Sequence, residues 1–313
     1  MAEATFRFSV PGDCAGQRLD QFLAGQLARH SRAFIAGLIR SGRVVVNGSA
    51  AKPSKRLHPA DVVSGTLPQP QPVALAPEPI RLSILYEDPD LVVINKPPGL
   101  VVHPAPGHAS GTLVNALLHS CPDLKPIAGE IRPGIVHRLD KDTSGVLVAA
   151  KSASALEHLA RQFKERSVEK TYLALVHGRP RANAGEVTLP IGRHPVDRKK
   201  MSVRSRRARS AVTLWQVKAT FCGCCLLEVR LMTGRTHQIR VHCAALGHPL
   251  LGDRVYGGPT RLALGASQVP VGRQMLHAWR LTIRHPTCQS PMSFEAPLPA
   301  DMNALIETLR RLG

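Results

Sequence analysis

Apolar residues recur along the chain with two periods, and the period changes name the elements. Leu19, Phe22, Leu23 and Leu27 fall on one face of a helix. Phe34, Ile35, Leu38 and Ile39 form the stripe of a second helix, with Ser31 placed to cap it and Gly42 to stop it. Val44–Val46 is a short strand, and Asn47-Gly48 is a hairpin turn signal. Farther on, Leu91–Ile94 and Val146–Ala150 are continuous apolar runs of buried strands. Leu156, Leu159 and Phe163 mark a helix, followed by a strand over 171–176. Residues 212–220 and 224–231 read as two long strands joined at Cys222-Gly223. Thr236 is placed to cap a helix with Ile239, Cys243 and Leu246 on one side and Gly247 at its end. A last helix opens at Asp301 and carries Met302, Leu305, Ile306, Leu309 and Leu312. Single helices interrupting strands and hairpins predict an α+β fold with a mixed or antiparallel sheet, not a doubly wound one.

Residues 68–79 hold five prolines in twelve positions, which excludes a helix or a central strand and predicts an extended linker. The expected organisation is an N-terminal extension over 1–16, a small module over 17–66, a Pro-rich linker over 67–80 and a large body over 81–313. At 313 residues, two domains are expected from length alone. The N-terminus lacks an apolar leader-like stretch, and no apolar run approaches the ~18 residues of a membrane span. Seven cysteines at irregular spacings do not form a secreted disulfide framework. These features predict a cytoplasmic protein without a membrane partner, and a monomer, since no apolar surface stripe is evident.

Charge alters this picture. Lys plus Arg number 41 against 22 Asp plus Glu, a formal charge of +19. Such an excess points to an anionic partner, most commonly nucleic acid. Residues 191–210 alone contribute +7, through Arg193, Arg198, Lys199, Lys200, Arg204, Arg206, Arg207 and Arg209 against Asp197. Arg29, Arg32, Arg40 and Arg43 cluster around the second helix, where they could follow a phosphate backbone. Aromatic residues make up only 4%, too few for a long base-stacking platform.

The densest polar cluster is His137-Arg138-Leu139-Asp140-Lys141-Asp142-Thr143-Ser144-Gly145, between apolar strands. Asp140 lies between cations, which favour an ionised carboxylate able to act as nucleophile or base. Asp142, Thr143 and Ser144 are read as local turn and cap residues. A phosphatase-type D-x-D box needs an apolar strand directly before its first Asp, and His137 and Arg138 occupy that place. Metal chemistry is not predicted: His237 and His242 are about 140° apart on a helix, and Cys222, Cys224 and Cys225 lack a second cysteine pair at zinc spacing. No phosphate-cradling or dinucleotide glycine motif occurs, so no cofactor is expected. Lys170 and Tyr172 share one face of a strand, and Arg235 precedes the helix of residues 236–246.

Two short helices, a strand and a Val-Asn-Gly turn over about 17–66 resemble the S4 RNA-binding domain. Asn95-Lys96-Pro97-Pro98-Gly99, the Asp140 box, Lys170-Thr171-Tyr172-Leu173-Ala174-Leu175-Val176, Gly234-Arg235-Thr236-His237-Gln238-Ile239-Arg240-Val241-His242 and Leu276-His277-Ala278, in that order, resemble the RluA-type RNA pseudouridine synthases over 82–313. Arg193-His194-Pro195 and the ending Pro299-Ala300-Asp301-Met302 make the likeness strongest to the S4-bearing subgroup acting on large-subunit rRNA. Residues 197–209 and the Cys-rich turn look less family-like.

The resemblance implies an isomerase that detaches uracil from C1′, turns it and rejoins it through C5, without metal or cofactor. It implies Asp140 as the catalytic anion, attacking C1′ or C6 or removing a ribose proton. It implies Tyr172 stacked on the target base, Arg235 paired with the aspartate, and Arg138 holding the flipped conformation. Lys170 and Ile239 would line the base site, and Arg29, Arg32, Arg40, Arg43, Arg198, Lys199 and Lys200 would grip backbone. The implied partner is 23S rRNA or a pre-50S particle, at the helix 69 stem-loop. A non-catalytic RNA-binding protein is the alternative.

Overall fold

A computed structural model describes residues 4–27, 30, 32–67, 75–104, 108–122, 124, 133–197, 199–264 and 267–312. The chain divides into two compact units, Met1–Val73 and Ala74–Gly313. Ser31, Arg29 and Arg198 lie outside the described residues, as do residues 68–74 of the Pro-rich stretch.

In the first unit, β1 (Ala4–Ser9) precedes α1 (Leu19–Gln26) and α2 (Arg32–Arg40), then β2 (Val44–Val46), β3 (Ser49–Ala50) and β4 (Val62–Leu67). The sheet order is β1-β4-β2-β3, so residues 4–9 form a sheet strand within the segment expected to be an extension. Leu19, Phe22 and Leu23 of α1 and Ile35, Leu38 and Ile39 of α2 bury one face each on Val44, Val46 and Val63. Phe34, expected in that stripe, is instead exposed and stacks on His30. Asn47 and Gly48 both take positive φ (51° and 77°), the two-residue turn that suits twisted hairpin strands.

The second unit runs β5 (Ser83–Glu87), β6 (Leu91–Lys96), α3 (Leu113–Ser120), β7 (Ser144–Ala150), α4 (Ala153–Glu165) and β8 (Glu169–His177). β9 (Ala184–Val187), β10 (Gly192–Arg193), β11 (Met201–Ser202), β12 (Thr213–Phe221) and β13 (Cys224–Leu231) follow. The chain ends with α5 (Gln238–Ala245), β14 (Arg261–Leu264), β15 (Ser267–Pro270), β16 (Leu276–Arg284), β17 (Pro291–Glu295) and α6 (Ala300–Leu312). Among the described residues one sheet of nine strands dominates, ordered β5-β6-β7-β16-β8-β13-β12-β9 with β17 on β16. Only β7 and β16 run parallel in it, so the sheet is mixed and the fold is α+β.

Period-two alternation gives this sheet two apolar faces. Val92, Ile94, Leu147, Tyr172, Ala174 and Leu227 meet Leu113 and Leu117 of α3 and Ile239 and Cys243 of α5. The intervening residues meet the other helices: Val93 and Val148 meet Ala155 and Leu159 of α4, and Leu173, Leu175 and Leu226 meet Met302 and Ile306 of α6. β7 is buried throughout, as its unbroken Val-Leu-Val-Ala-Ala run requires. Gly145 at its start has φ 114°, and a Cβ there would run into the Ala278 carbonyl oxygen of β16.

Residues 75–80, at the end of the Pro-rich stretch, are tied to the start of α3: Glu78 accepts from Gly111 N–H (3.0 Å) and Asn115 donates to Ala76 O (2.9 Å). One expectation is corrected here. Thr236 does not cap α5. His237 takes the left-handed conformation (φ 56°, ψ 23°), so the helix begins only at Gln238. Leu246 follows the helix and is exposed, off the buried stripe. No helix of the described residues is long and apolar enough to cross a membrane.

Candidate active site

The Asp140 box lies on the turn entering β7, and its backbone is tied from several sides. Leu139 is buried in the core below it. The His137 ring stacks on Phe163 (4.5 Å), and its Nε2 accepts from Val148 N–H (3.1 Å). Thr143 N–H donates to Asp140 O (3.1 Å), closing the turn. The fully buried Lys96 ammonium donates to the carbonyls of Pro97, Leu100 and Lys141 at 2.8–2.9 Å. Three acceptors match its three donors. Burial lowers its pKa to about 7, with Asp142 and Asp140 acting in the opposite direction. Arg273 donates to Asp142 O (2.9 Å) and is paired with Asp301 of α6. The Asn-Lys-Pro-Pro-Gly segment is therefore the support of the aspartate turn. Beyond the turn, buried His277 donates from Nε2 to Ala296 O, which fixes its other nitrogen as acceptor for the Ser144 hydroxyl (3.0 Å).

Asp140 opens into a cavity of about 460 Å³. Tyr172 and Lys170 of β8 line it, with Arg138, Arg235, His237, Ile239 and Arg240. Tyr172 is 9% exposed, and burial, then Asp140, raises its pKa, so the phenol stays neutral. Lys170 and Arg235 have lowered pKa values, first through burial and then through neighbouring arginines, Arg166 in both cases. The mouth is thus cationic, with the one pocket carboxylate inside it.

The structure corrects one expectation at the centre of the site. Arg235 does not pair with Asp140; its Nε donates to Ser210 O (3.1 Å). The paired arginine is Arg240, whose guanidinium NH1 lies 3.0 Å from Asp140 Oδ2. Arg240 is 5% exposed and also bonds both oxygens of the buried Asp253 (2.7 and 2.9 Å). Burial opposes its charge, but Asp253 and Asp140 outweigh this and raise its pKa. Arg240 lies in the first turn of α5, facing the site, whereas Arg235 sits on the loop before it. Gln238 holds that loop: it accepts from Thr233 Oγ1 and Arg235 N–H and donates to Val212 O and Thr213 Oγ1.

Among the basic residues expected to grip backbone, Arg32 bonds Asp20 together with Arg18 and is partly neutralised. Arg40 and Lys199 are exposed, and Lys200 approaches Asp197 at 3.9 Å. Among the described residues no group of three or more His, Cys, Asp or Glu side chains is placed to hold a metal ion.

His137 gives the pocket wall a pH dependence. Burial, then Lys170, lowers its pKa to about 3, against about 6.5 in an unfolded chain. The folded state therefore binds fewer protons than the unfolded one between these values, and stability falls as pH drops from about 6.5 toward 3. A melting series over that range should decline in the parent and decline less in His137→Gln. Parallel curves would show that His137 is not the proton acceptor.

A carboxylate–arginine pair inside a cavity with a cationic rim suits chemistry on an anionic substrate such as nucleic acid. Residues 90–245 match the family model described as RNA pseudouridylate synthase, and residues 17–63 match the S4 domain. An uncharacterized RNA pseudouridine synthase of Bacillus subtilis is 46% identical over 297 residues, covering 95% of each chain. The protein of Pseudomonas aeruginosa named ribosomal large subunit pseudouridine synthase D is 45% identical, covering 96% of this chain and 95% of that one. The solved human RNA pseudouridylate synthase domain containing 4 has 31% identity and a TM-score of 0.57, covering 73% of this chain and 93% of that one. The chain belongs to the RNA pseudouridine synthases, in the RluA-type family with an S4 domain, and is an isomerase acting on RNA.

Proposed function

We propose that this enzyme converts uridines to pseudouridine in large-subunit (23S) rRNA, free or in a pre-50S particle, at the helix 69 stem-loop. The observation that carries the chemistry is the Asp140 carboxylate, held by Arg240 inside a cavity lined by Tyr172. The relatives named ribosomal large subunit pseudouridine synthase D, 42–45% identical over 96% or more of this chain, support the RNA class. A uridine in a stem-loop must leave its stack to reach Asp140, at a cost of a few kcal/mol. Arg138 at the mouth holds the displaced conformation, Tyr172 stacks on the uracil, and Ile239 packs beside it. Asp140 then supplies the anion for glycosidic cleavage, at the ribose or at the base. After rotation the ring bonds through C5, and the C5 proton leaves. Lys170 and Arg235 add positive potential for the flanking phosphates.

Pseudouridine mapping tests this reading. The parent enzyme is expressed in a host lacking its own helix 69 synthase, and 23S rRNA is read by carbodiimide-dependent reverse-transcriptase stops. Stops in helix 69 are expected. Stops elsewhere would move the target, and their absence with RNA binding intact would favour a binding protein.

Because the Tyr172 phenol is neutral, it moves a proton only in concert with a neighbour and not as a free phenolate. Tyr172→Phe is expected to keep RNA affinity and to slow single turnover about a hundred-fold, a common size for proton-transfer catalysis. An unchanged rate would leave Tyr172 with stacking alone.

A further inference from the structure

Three groups beside Asp140 have no role in the chemistry above: His237, Tyr256 and the backbone of the basic hairpin β10–β11. His237 stands in the left-handed region, an uncommon place for a residue other than glycine, and such outliers gather at functional sites. Its Nε2 faces Asp140 Oδ2 at 3.8 Å, and its Nδ1 lies 2.8 Å from Tyr256 Oη. Tyr256 Oη in turn accepts from Met201 N–H (2.9 Å) on β11. Asp253 Oδ1, already bonded to Arg240, accepts from Val255 N–H and Tyr256 N–H (3.1 and 3.3 Å). A closed ring of contacts therefore surrounds the carboxylate, running from Asp140 through Arg240, Asp253, Tyr256 and His237.

The contacts of this ring favour one direction for its hydrogens. Met201 N–H can only donate, so the Tyr256 oxygen accepts there, and among the described contacts its single hydrogen has His237 Nδ1 as its acceptor. Nδ1 is then an acceptor, and the imidazole proton sits on Nε2, pointing at Asp140. Burial lowers the His237 pKa against the opposite pull of Asp140, which suits a neutral ring. At 3.8 Å the last link is longer than a hydrogen bond. Catalytic bonds often stand this loose without substrate and tighten in the complex.

We propose that His237 is a positioning residue that orients Asp140 through its Nε2–H, in a tautomer imposed by Tyr256, which is itself anchored on the basic hairpin. Arg240 holds Asp140 Oδ2 from one side and His237 approaches the same oxygen from another, leaving the second oxygen for the substrate. The hairpin carries Arg193, and Lys199 and Lys200 lie in its connection, so one segment serves both RNA and the carboxylate. This role rests on the pseudouridine synthase reading; the tautomer does not.

The test uses the full chain. Nitrogen-15 NMR of labelled histidines should show His237 with Nδ1 unprotonated and Nε2 protonated, the signal being assigned by its loss in His237→Asn. Asn tolerates the left-handed backbone and can still meet Tyr256, but it lacks the nitrogen facing Asp140. Its single-turnover rate at saturating RNA should fall about ten- to a hundred-fold, as for a catalytic group misplaced by about an ångström, with Kd within twofold of the parent. Tyr256→Phe should shift the tautomer and lower the rate similarly, and the double variant should be no slower than the worse single one. A proton on Nδ1 in the parent would overturn the proposal, even if Tyr256→Phe fails to fold. So would a His237→Asn rate within twofold of the parent, or a loss confined to Kd. An inactive parent with the Nε2–H tautomer would overturn the enzymatic reading and the role built on it; the wrong tautomer in an active parent would overturn this inference alone.

Discussion

Asp140→Asn should abolish turnover while leaving a folded, RNA-binding protein. The substitution keeps the shape of the side chain and removes its charge, so tritium release from 5-tritiated uridine RNA is expected to fall by about three orders of magnitude or more, beyond the 10²–10⁴ range's lower end for a single acid–base group. Two features protect the fold. Arg240 retains both bonds to Asp253 when Asp140 is neutral, so no buried cation is stranded. The turn is held by backbone atoms, the carbonyls of Lys141 and Asp142 receiving Lys96 and Arg273, none of which depends on the Asp140 carboxylate. A melting temperature and RNA affinity near the parent's, with no turnover, is the expected set. Residual activity within tenfold of the parent would remove Asp140 from the chemistry.

The second large effect separates two arginines that the sequence box places five positions apart. Arg240→Ala should destabilise the catalytic unit by about 3–5 kcal/mol, the usual cost of breaking a buried ion pair and leaving its partner charged. Asp253, 1% exposed, is the partner left behind. For a unit of this size that is a fall of roughly 6–20 °C in melting temperature, together with loss of turnover, because Asp140 also loses its cation. Arg235→Ala removes one bond to the Ser210 carbonyl at the pocket mouth and should leave the melting temperature within a degree or two. Its effect should instead fall on RNA affinity and its salt dependence. Thermal melts of the two variants decide between the assignments, and a reversed order would restore Arg235 as the structural partner.

The elements themselves were legible because each carries its own period. The Leu19–Phe22–Leu23 and Met302–Leu305–Ile306–Leu309 stripes bury on the faces they mark, and the Asn47-Gly48 turn has the backbone its residues prefer. The apolar run after Gly145 is the most buried strand of the sheet. Local backbone conformation was harder to read. His237 adopts a left-handed angle that its type disfavours, so the start of α5 moved past Thr236. Phe34 and Leu246 continue helical stripes in sequence, yet both are exposed, because a stripe shows which residues share a face but not how far that face extends into the core.

By itself the chain determined the α+β class, the S4-like module, the Asp140 box and the placement of Lys170 and Tyr172 on one strand face, since each depends on spacing within a short segment. Only the tertiary structure decided which arginine holds the aspartate. That choice depends on a buried Asp253 brought back beneath α5 by the following loop, thirteen residues after Arg240, and on the turn of α5 that aims residue 240 inward and leaves 235 at the rim. It likewise decided that Lys96 supports the aspartate turn and that Tyr256 meets the His237 ring. These pairings join residues far apart in sequence, and no local pattern records them, because a charged residue's partner is chosen by the packing that excludes water around both.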